Sequence, residues 1–132
     1  MSALEARPEP ACEATPEQAA LVREMLTRIA DKWTLLVIEA LEREEDTRFT
    51  RLQERIGGVS QKMLTKTLRQ LERDGLVTRR VHPTVPPQVD YRLTAAGENL
   101  SYAVCGLWIW ASAHVEEVRR ARRHYDTHQN GR

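Results

Sequence analysis

The chain has 132 residues, of which 41% are hydrophobic and 30% charged, and this predicts one globular domain with its own core. Its apolar runs are far shorter than a membrane span and no apolar leader follows Met1, so we expect a cytoplasmic protein without membrane contact. The two cysteines and four histidines lack metal-ligand spacing, and the sequence has no phosphate-binding glycine loop and no evident nucleophile and base. We therefore expect no metal, no cofactor and no enzyme activity.

The charge is unevenly distributed along the chain. Residues 1–46 carry a net charge of −6, residues 47–82 carry +6, and residues 83–132 carry +1. A basic segment within a nearly neutral protein is the electrostatic signature of a nucleic-acid contact. The small total charge of +1 argues against a protein that binds nucleic acids indiscriminately.

A polar arm and two helices are predicted first. Residues 1–14 alternate proline and glutamate without an apolar period, which predicts a disordered arm. Thr15, Pro16 and Gln18 have the spacing of a capping box with proline at the first helical position. Asp31 is the predicted N-cap of the second helix, KWTLLVIEALER. The first helix has an apolar stripe of Ala19, Val22, Leu26 and Ile29. The residues predicted to be buried in the second helix are Trp33, Leu36, Val37, Ala40 and Leu41.

Two further helices are predicted on either side of a glycine pair. The acidic run 42–46 ends the second helix, and residues 48–49 are predicted as a short extended piece. A capping-box spacing at residues 50–53 predicts a brief helix through Ile56, with Leu52 and Ile56 facing inward. The glycines at 57–58 break the chain before the next helix. Two short helices joined by a tight glycine turn are typical of a helix-turn-helix.

The helix predicted over residues 60–74 has two chemically different faces. Ser60 is a good N-cap, and Gly75 followed by Leu76 predicts a Schellman stop. Amide, hydroxyl and cationic groups of the open face suit base edges and phosphates, whereas a solvated amphipathic helix is the alternative interpretation. The apolar face consists of Val59, Met63, Leu64, Leu68 and Leu71, and the open face of Gln61, Lys62, Thr65, Lys66 and Arg69.

A β-hairpin, the wing, is predicted over residues 77–93. Apolar and polar residues alternate on both sides of a connection that contains three prolines, which make its tip stiff. A helix-turn-helix followed by a hairpin predicts a mainly α fold with a small β wing (α+β), a winged helix-turn-helix. The wing residues placed to contact phosphates or a minor groove are Arg79, Arg80, His82 and Gln88.

Thr94 is the predicted N-cap of a last helix that runs to about Tyr125. Residues 100–111 are apolar nearly all round, and a domain of this size cannot cover such a helix on every side. We therefore predict a homodimer interface rather than a simple core helix. Its candidate residues are Leu100, Val104, Leu107, Trp108, Ala111 and Val115.

The runs IADKWTLLVIEAL, RFTRLQERIGGVSQKMLTKTLRQLERDGLVTRRVHPTVPPQVDYRLTAAGENL and LWIWA cover roughly residues 29–111. Their combination of DKW, RF, SQKMLT, LERDGL and YxLTxxG with a proline-rich wing resembles the HxlR family of bacterial transcriptional regulators, relatives of the MarR group. The resemblance implies a homodimer that binds a pseudo-palindromic operator in double-stranded DNA and represses or activates nearby genes. It also implies that the helix matching Ser60–Arg73 reads the DNA. The candidate DNA contacts further include Ser60, Lys32 and Arg48.

The resemblance also raises the question of a sensor cysteine, because some family members sense electrophiles, quinones or oxidants through a cysteine ahead of the KW motif. Cys12 lies 21 residues before Trp33, further than in that pattern, and next to Glu13. A neighbouring carboxylate lowers the thiolate fraction, so an incidental exposed cysteine is the favoured interpretation. Cys105 lies in the apolar part of the last helix and is predicted to be a small buried thiol.

Two functions from different classes remain open. The leading prediction is a sequence-specific DNA-binding regulator, and the alternative is a winged-helix module for protein contact, because a fold does not fix a function. An effector of unknown identity would bind between the last helix and the helix of Trp33, beside Tyr102, Trp108 and Trp110, although core packing explains these rings equally well. The domain is predicted over residues 15–125, with its dimerisation helix at 94–125 and a flexible tail at 126–132.

Overall fold

The computed structural model describes residues 15–43 and 46–130. Its helices and strands are α1 (Pro16–Ile29), α2 (Lys32–Glu42), β1 (Thr47–Arg48), α3 (Phe49–Ile56), α4 (Gln61–Arg73), β2 (Val77–His82), β3 (Gln88–Leu93), α5 (Ala95–Ala113) and α6 (Val115–Asn130). The strands form one antiparallel sheet in the order β1-β3-β2. The predicted fold class, mainly α with a small β wing, is confirmed. The predicted arm at 1–14 and part of the acidic run, residues 44–45, lie outside the described residues.

Helix α2 is at the centre of the core. It buries Thr34, Val37, Ile38, Ala40 and Leu41, because this side of the helix faces α3, α4 and the sheet. The core also contains Leu52 of α3, Leu64, Leu68 and Leu71 of α4, and Val77, Tyr91 and Leu93 of the sheet. The prediction that Trp33 and Leu36 are buried is wrong. Both are only partly buried, and Leu36 borders a groove between α2 and α5.

Helix α1 begins as predicted but does not enter the core. The backbone N–H of Gln18 donates to the Thr15 hydroxyl at 3.2 Å, and the Thr15 N–H donates to the Gln18 side-chain oxygen at 3.1 Å, so the capping box is confirmed. None of its residues is buried, however, and Val22 and Leu26 are exposed. The core of this protomer therefore does not cover the apolar stripe of α1, since α1 lies at the edge of the protomer.

The start of α3 differs from the prediction. The helix begins at Phe49 after Arg48, which is in the N-cap position without a side-chain cap hydrogen bond, so residues 50–53 form no capping box. The extended piece is Thr47–Arg48 rather than residues 48–49, because these two residues pair with β3 opposite Tyr91 and Asp90. Leu52 is fully buried and Ile56 partly buried, as expected for the inward side of α3.

The predicted last helix is two helices. The backbone of His114 leaves the helical conformation at φ −111° and ends α5, and α6 follows from Val115. The His114 ring hydrogen-bonds the carbonyl oxygen of Trp110 at 2.7 Å and stacks on the Trp110 ring, with 4.7 Å between the ring centroids. Helix α6 continues to Asn130, so the flexible tail predicted from residue 126 is helical as far as the structure describes it.

Candidate nucleic-acid interface

Helix α4 is fixed at both ends by local contacts that the sequence predicts. The Ser60 hydroxyl accepts the backbone N–H of Met63 at 3.1 Å and caps the N-terminus. At the other end the Leu76 N–H donates to the Leu71 carbonyl at 2.9 Å, and the Gly75 N–H donates to the Glu72 carbonyl at 3.1 Å. Gly75 has φ +75°, so this is the predicted Schellman stop. Both ends of the helix are therefore held in a defined position.

The turn before α4 orients the helix against α3. Gly57 and Gly58 have φ of +67° and +72°, a left-handed conformation that side chains disfavour. The Gln53 side-chain amide donates to the Val59 carbonyl at 3.4 Å across this turn. On the packed side of α4, Leu64 and Leu68 are almost completely buried. A helix, a glycine turn and a second helix packed on the same core form a helix-turn-helix.

The opposite face of α4 is exposed and cationic. Gln61, Lys62, Lys66 and Arg69 are exposed, Thr65 is partly buried, and these five side chains border one open surface depression together with Gln70. The Thr65 hydroxyl donates to the Gln61 carbonyl at 2.8 Å, which leaves its lone pairs facing the depression. The structure thus brings together all five residues that were predicted for this face.

The cations of this face have no anionic partner in the part of the chain that the structure describes. Within residues 15–43 and 46–130, Lys62, Lys66 and Arg69 form no ion pair, whereas Arg28 and Arg119 each contact a carboxylate within 3.0 Å. Unpaired cations on a surface attract an anion more strongly than cations that a neighbouring carboxylate already neutralises. The face is therefore chemically suited to a polyanion that also offers hydrogen-bonding groups.

The wing places its two arginines on opposite faces of the sheet. Arg79 is opposite Tyr91 in the register and shares a face with the buried Val77, whereas Arg80 is opposite Asp90 on the other face. Both arginines are exposed and form no ion pair within the described part of the chain. Arg48 on β1 is also exposed and is opposite Asp90 from the other side. Asp90 on β3 therefore has Arg48 of β1 opposite it on one side and Arg80 of β2 on the other.

His82 is engaged inside the wing. Its Nε2 contacts the Asp90 Oδ2 at 2.5 Å, and its side chain is only partly exposed. Gln88 lies opposite His82 in the register and is partly buried. The imidazole thus joins β2 to β3, and His82, a predicted DNA contact, already has a carboxylate partner within the wing.

Lys32 lies apart from the α4 face. Its Nζ is 4.8 Å from the centroid of the Trp33 ring, a cation–π contact, and its side chain borders the groove between α2 and α5. The structure therefore does not bring Lys32 together with the cations of α4.

An apolar groove lies between α2 and α5. It measures about 450 Å³ and is bordered by Ala30, Lys32, Leu35, Leu36, Glu39, Val104, Leu107, Trp108 and Ala111. Of the rings predicted to line an effector cavity, only Trp108 does so. Trp110 stacks on His114 instead, and Tyr102 borders a separate polar pocket with Glu98 and Arg92.

Cys105 is exposed, so the prediction of a buried thiol is wrong. Cys105 borders a second open groove, which is also lined by Glu39, Arg43 and Trp108. The other sensor candidate, Cys12, lies outside the described residues.

Within the described ranges, no cluster of histidine, cysteine and acidic side chains could hold a metal ion.

The comparison with known proteins decides the family. A model of the HxlR-like helix-turn-helix matches residues 28–119. The chain belongs to the HxlR family. The match extends from the end of α1 into α6 and so contains the helix-turn-helix and the wing. The HTH-type transcriptional regulator YtfH of Escherichia coli strain K12 is 43% identical over 100 residues, which are 76% of this chain and 79% of YtfH.

Solved structures of similar proteins have the same fold. The transcriptional regulator ytfH from Salmonella typhimurium superimposes with a TM-score of 0.71 at 39% identity, over 77% of this chain and 90% of that one. The redox regulator HypR in its oxidized form gives a TM-score of 0.64 at 33% identity, over 70% of this chain and 95% of that one. This HxlR-family chain is accordingly a transcriptional regulator of the helix-turn-helix type. Its relatives are regulators rather than enzymes, and no helix in residues 15–43 or 46–130 could cross a membrane.

Proposed function

We propose that this HxlR-family regulator binds a pseudo-palindromic operator in double-stranded DNA as a homodimer and so represses or activates nearby genes. The observation that carries the proposal is the exposed face of α4. It combines two amides, a hydroxyl and three cations that form no ion pair with any described residue, on a helix whose ends are fixed. Glutamine and arginine can make bidentate contacts with adenine and guanine in the major groove, and lysine neutralises phosphates.

The homodimer is supported by the apolar surface of the last helices. Leu107, Trp108 and Trp110 are 60%, 62% and 59% exposed in the protomer. Exposed apolar patches of this kind mark interaction surfaces, and two-fold dimers are the commonest oligomers. In such a dimer the two α4 helices would enter successive major grooves about 34 Å apart on B-form DNA. The interface residues proposed here are Leu100, Val104, Leu107, Trp108, Ala111 and Val115, joined by the exposed Leu21, Val22, Met25 and Leu26 of α1.

Salt dependence tests the DNA contact directly. We expect the logarithm of the binding constant for DNA to fall linearly with the logarithm of the salt concentration, with a slope of about −0.9 per phosphate neutralised, because bound cations release counterions. A fluorescence anisotropy titration of labelled duplex at several salt concentrations measures the slope. The same titration with Arg120→Ala, which removes one positive charge from α6, shows how far the slope depends on the total charge of the protein. A flat salt dependence would contradict DNA binding and favour the protein-contact function.

Substitutions on α4 separate base contacts from phosphate contacts. We expect Lys66→Ala to weaken binding to operator and random DNA equally, because a lysine–phosphate contact carries no sequence information. Gln61→Ala and Arg69→Ala should each cost about 1–3 kcal/mol on the operator and relax base preference at particular positions. Selection of bound duplexes from a random pool, followed by titration of each variant, measures both effects. Equal losses on specific and random DNA for all three variants would show that these roles are wrongly assigned.

We extend the proposal to a signal, which would be a small molecule or an oxidant. The support is that the relative HypR is named a redox regulator and that Cys105 is exposed beside Trp108, in the region of the proposed dimer interface. A modified thiol at this place would alter the packing between subunits. The apolar groove between α2 and α5 is the corresponding place for a small-molecule effector, because apolar concave cavities of this size suit such ligands.

A further inference from the structure

The C-terminal end of α4 is held by a polar contact from α1. The Arg28 Nη1 donates to both carboxylate oxygens of Asp74, at 3.0 and 3.1 Å, and its Nη2 donates to Glu24 at 2.8 Å. Asp74 is the C-cap of α4. In the described ranges this is the only side-chain hydrogen bond that joins α1 to another helix. The Arg28 and Asp74 side chains are 27% and 28% exposed, so water screens the pair only in part.

The same end of α4 is held from the other side by α5. The Thr94 hydroxyl donates to the Gly75 carbonyl at 2.6 Å, and the Thr94 N–H donates to the Leu76 carbonyl at 3.0 Å. Thr94 is also the N-cap of α5, where it accepts the Gly97 N–H at 3.1 Å. The end of the helix that bears the cationic face is therefore attached to the start of α5 and to the end of α1.

This arrangement joins the two surfaces on which DNA binding depends. Helix α1 carries exposed Leu21, Val22 and Leu26, and α5 carries exposed Leu107 and Trp108, so both belong to the proposed dimer surface. Since α1 buries no residue of its own in the protomer, apolar packing holds it only weakly to α2. An ion pair with two acceptor oxygens restricts orientation as well as distance. The contact between Arg28 and Asp74 therefore restricts how α1, one part of the proposed dimer surface, is oriented relative to α4.

We propose that Arg28 and Asp74 are positioning residues that set the distance between the two α4 helices of the dimer, and so the half-site spacing that the regulator accepts. The proposal rests on the proposed function, since it requires a dimer on a two-part operator. Neither side chain lies on the face of α4 that would contact bases. Their effect would therefore appear in spacing selectivity and not in the preferred half-site sequence.

The test compares full-length variants on a set of duplexes whose half-sites are moved apart or together by one or two base pairs. For the wild type we expect one preferred spacing. For Arg28→Gln and for Asp74→Asn we expect the ratio of affinities between preferred and shifted spacings to fall about tenfold, equivalent to ~1.4 kcal/mol. The double variant should lose no more than either single variant, because both changes remove the same contact.

Controls separate positioning from stability and from dimerisation. Glu24→Gln removes the other carboxylate that contacts Arg28 and leaves the link to Asp74, so it should keep the wild-type spacing preference. Sedimentation velocity gives the dimer fraction of each variant, and binding to a single half-site gives the intrinsic affinity of α4. Unchanged spacing selectivity in Arg28→Gln, or a loss at every spacing that follows dissociation into monomers, would overturn the positioning role alone. Absence of specific binding by the wild type would overturn the proposed function as well.

Discussion

Glutamate in place of both Leu107 and Trp108 is expected to give a folded monomer whose operator affinity is at least about a hundredfold lower. Both side chains are some 60% exposed in the protomer, so the substitutions leave its core intact. A tryptophan side chain offers roughly 150–250 Å² of surface. Burying the exposed part at about 25 cal/mol per Å² contributes about 3 kcal/mol for each copy. The variant loses this contribution and also places unpaired carboxylates in an apolar interface, which costs several kcal/mol more.

The mass measured by sedimentation velocity and the affinity measured by fluorescence anisotropy test this expectation together. Asn99→Glu is the control, because it adds one negative charge at an exposed position on the same helix but near its N-terminus. It should leave both the mass and the affinity unchanged. A double variant that remains dimeric with wild-type affinity would place the interface on a different surface.

The parts of the candidate site that could be predicted from sequence depend on local signals. Ser60, Gly75 and Leu76 define both ends of α4 through contacts within five residues along the chain. The apolar spacing on the packed face of α4 then determines which side chains remain open. For these reasons the position of α4 and the set of residues from Gln61 to Arg69 on its exposed face agree with the prediction.

Burial is predicted wrongly from sequence where an apolar helix face could be covered either by the same protomer or by a second molecule. The stripe of α1 that includes Val22 and Leu26 has the period of a core-facing helix, yet it is exposed in the protomer. The apolar surroundings of Cys105 in the sequence predict a buried thiol, yet Cys105 is also exposed. A helix covered by a second chain and a helix covered by its own core have the same hydrophobic period. Only the three-dimensional arrangement of one protomer separates the two cases.

Contacts between residues that are distant in sequence could not be predicted at all. Arg28 and Asp74 are 46 residues apart, and β1 pairs with β3 across α3, α4 and β2. No single segment carries the signals for these two contacts, because each depends on how the elements pack. The contact of His82 with Asp90 lies within the predicted hairpin, but it depends on the register of β2 against β3.

Alanine in place of Gly97 is expected to destabilise the fold by up to about 2 kcal/mol. A Cβ atom at this position would lie 2.1 Å from the Leu76 carbonyl oxygen, which is a backbone atom that no side-chain rotation can move. Overpacking a core position costs up to about 3 kcal/mol, and the better helix propensity of alanine returns only about 1 kcal/mol. Helix α5 would have to move away from the end of α4, which would break the hydrogen bond from the Thr94 N–H to Leu76.

Urea denaturation at a fixed protomer concentration measures this loss, with Gly106→Ala as the matched control. Gly106 is also within α5, but an added Cβ there meets no atom of the protomer within 4 Å. The same change should therefore be neutral or stabilise by up to about 1 kcal/mol through helix propensity. The absence of a side chain at Gly97 allows α5 to lie close to the end of α4. The alanine variant should therefore also lose operator affinity in the fraction that remains folded. Equal stability of the two variants would show that the contact between Gly97 and Leu76 does not fix the distance between these helices.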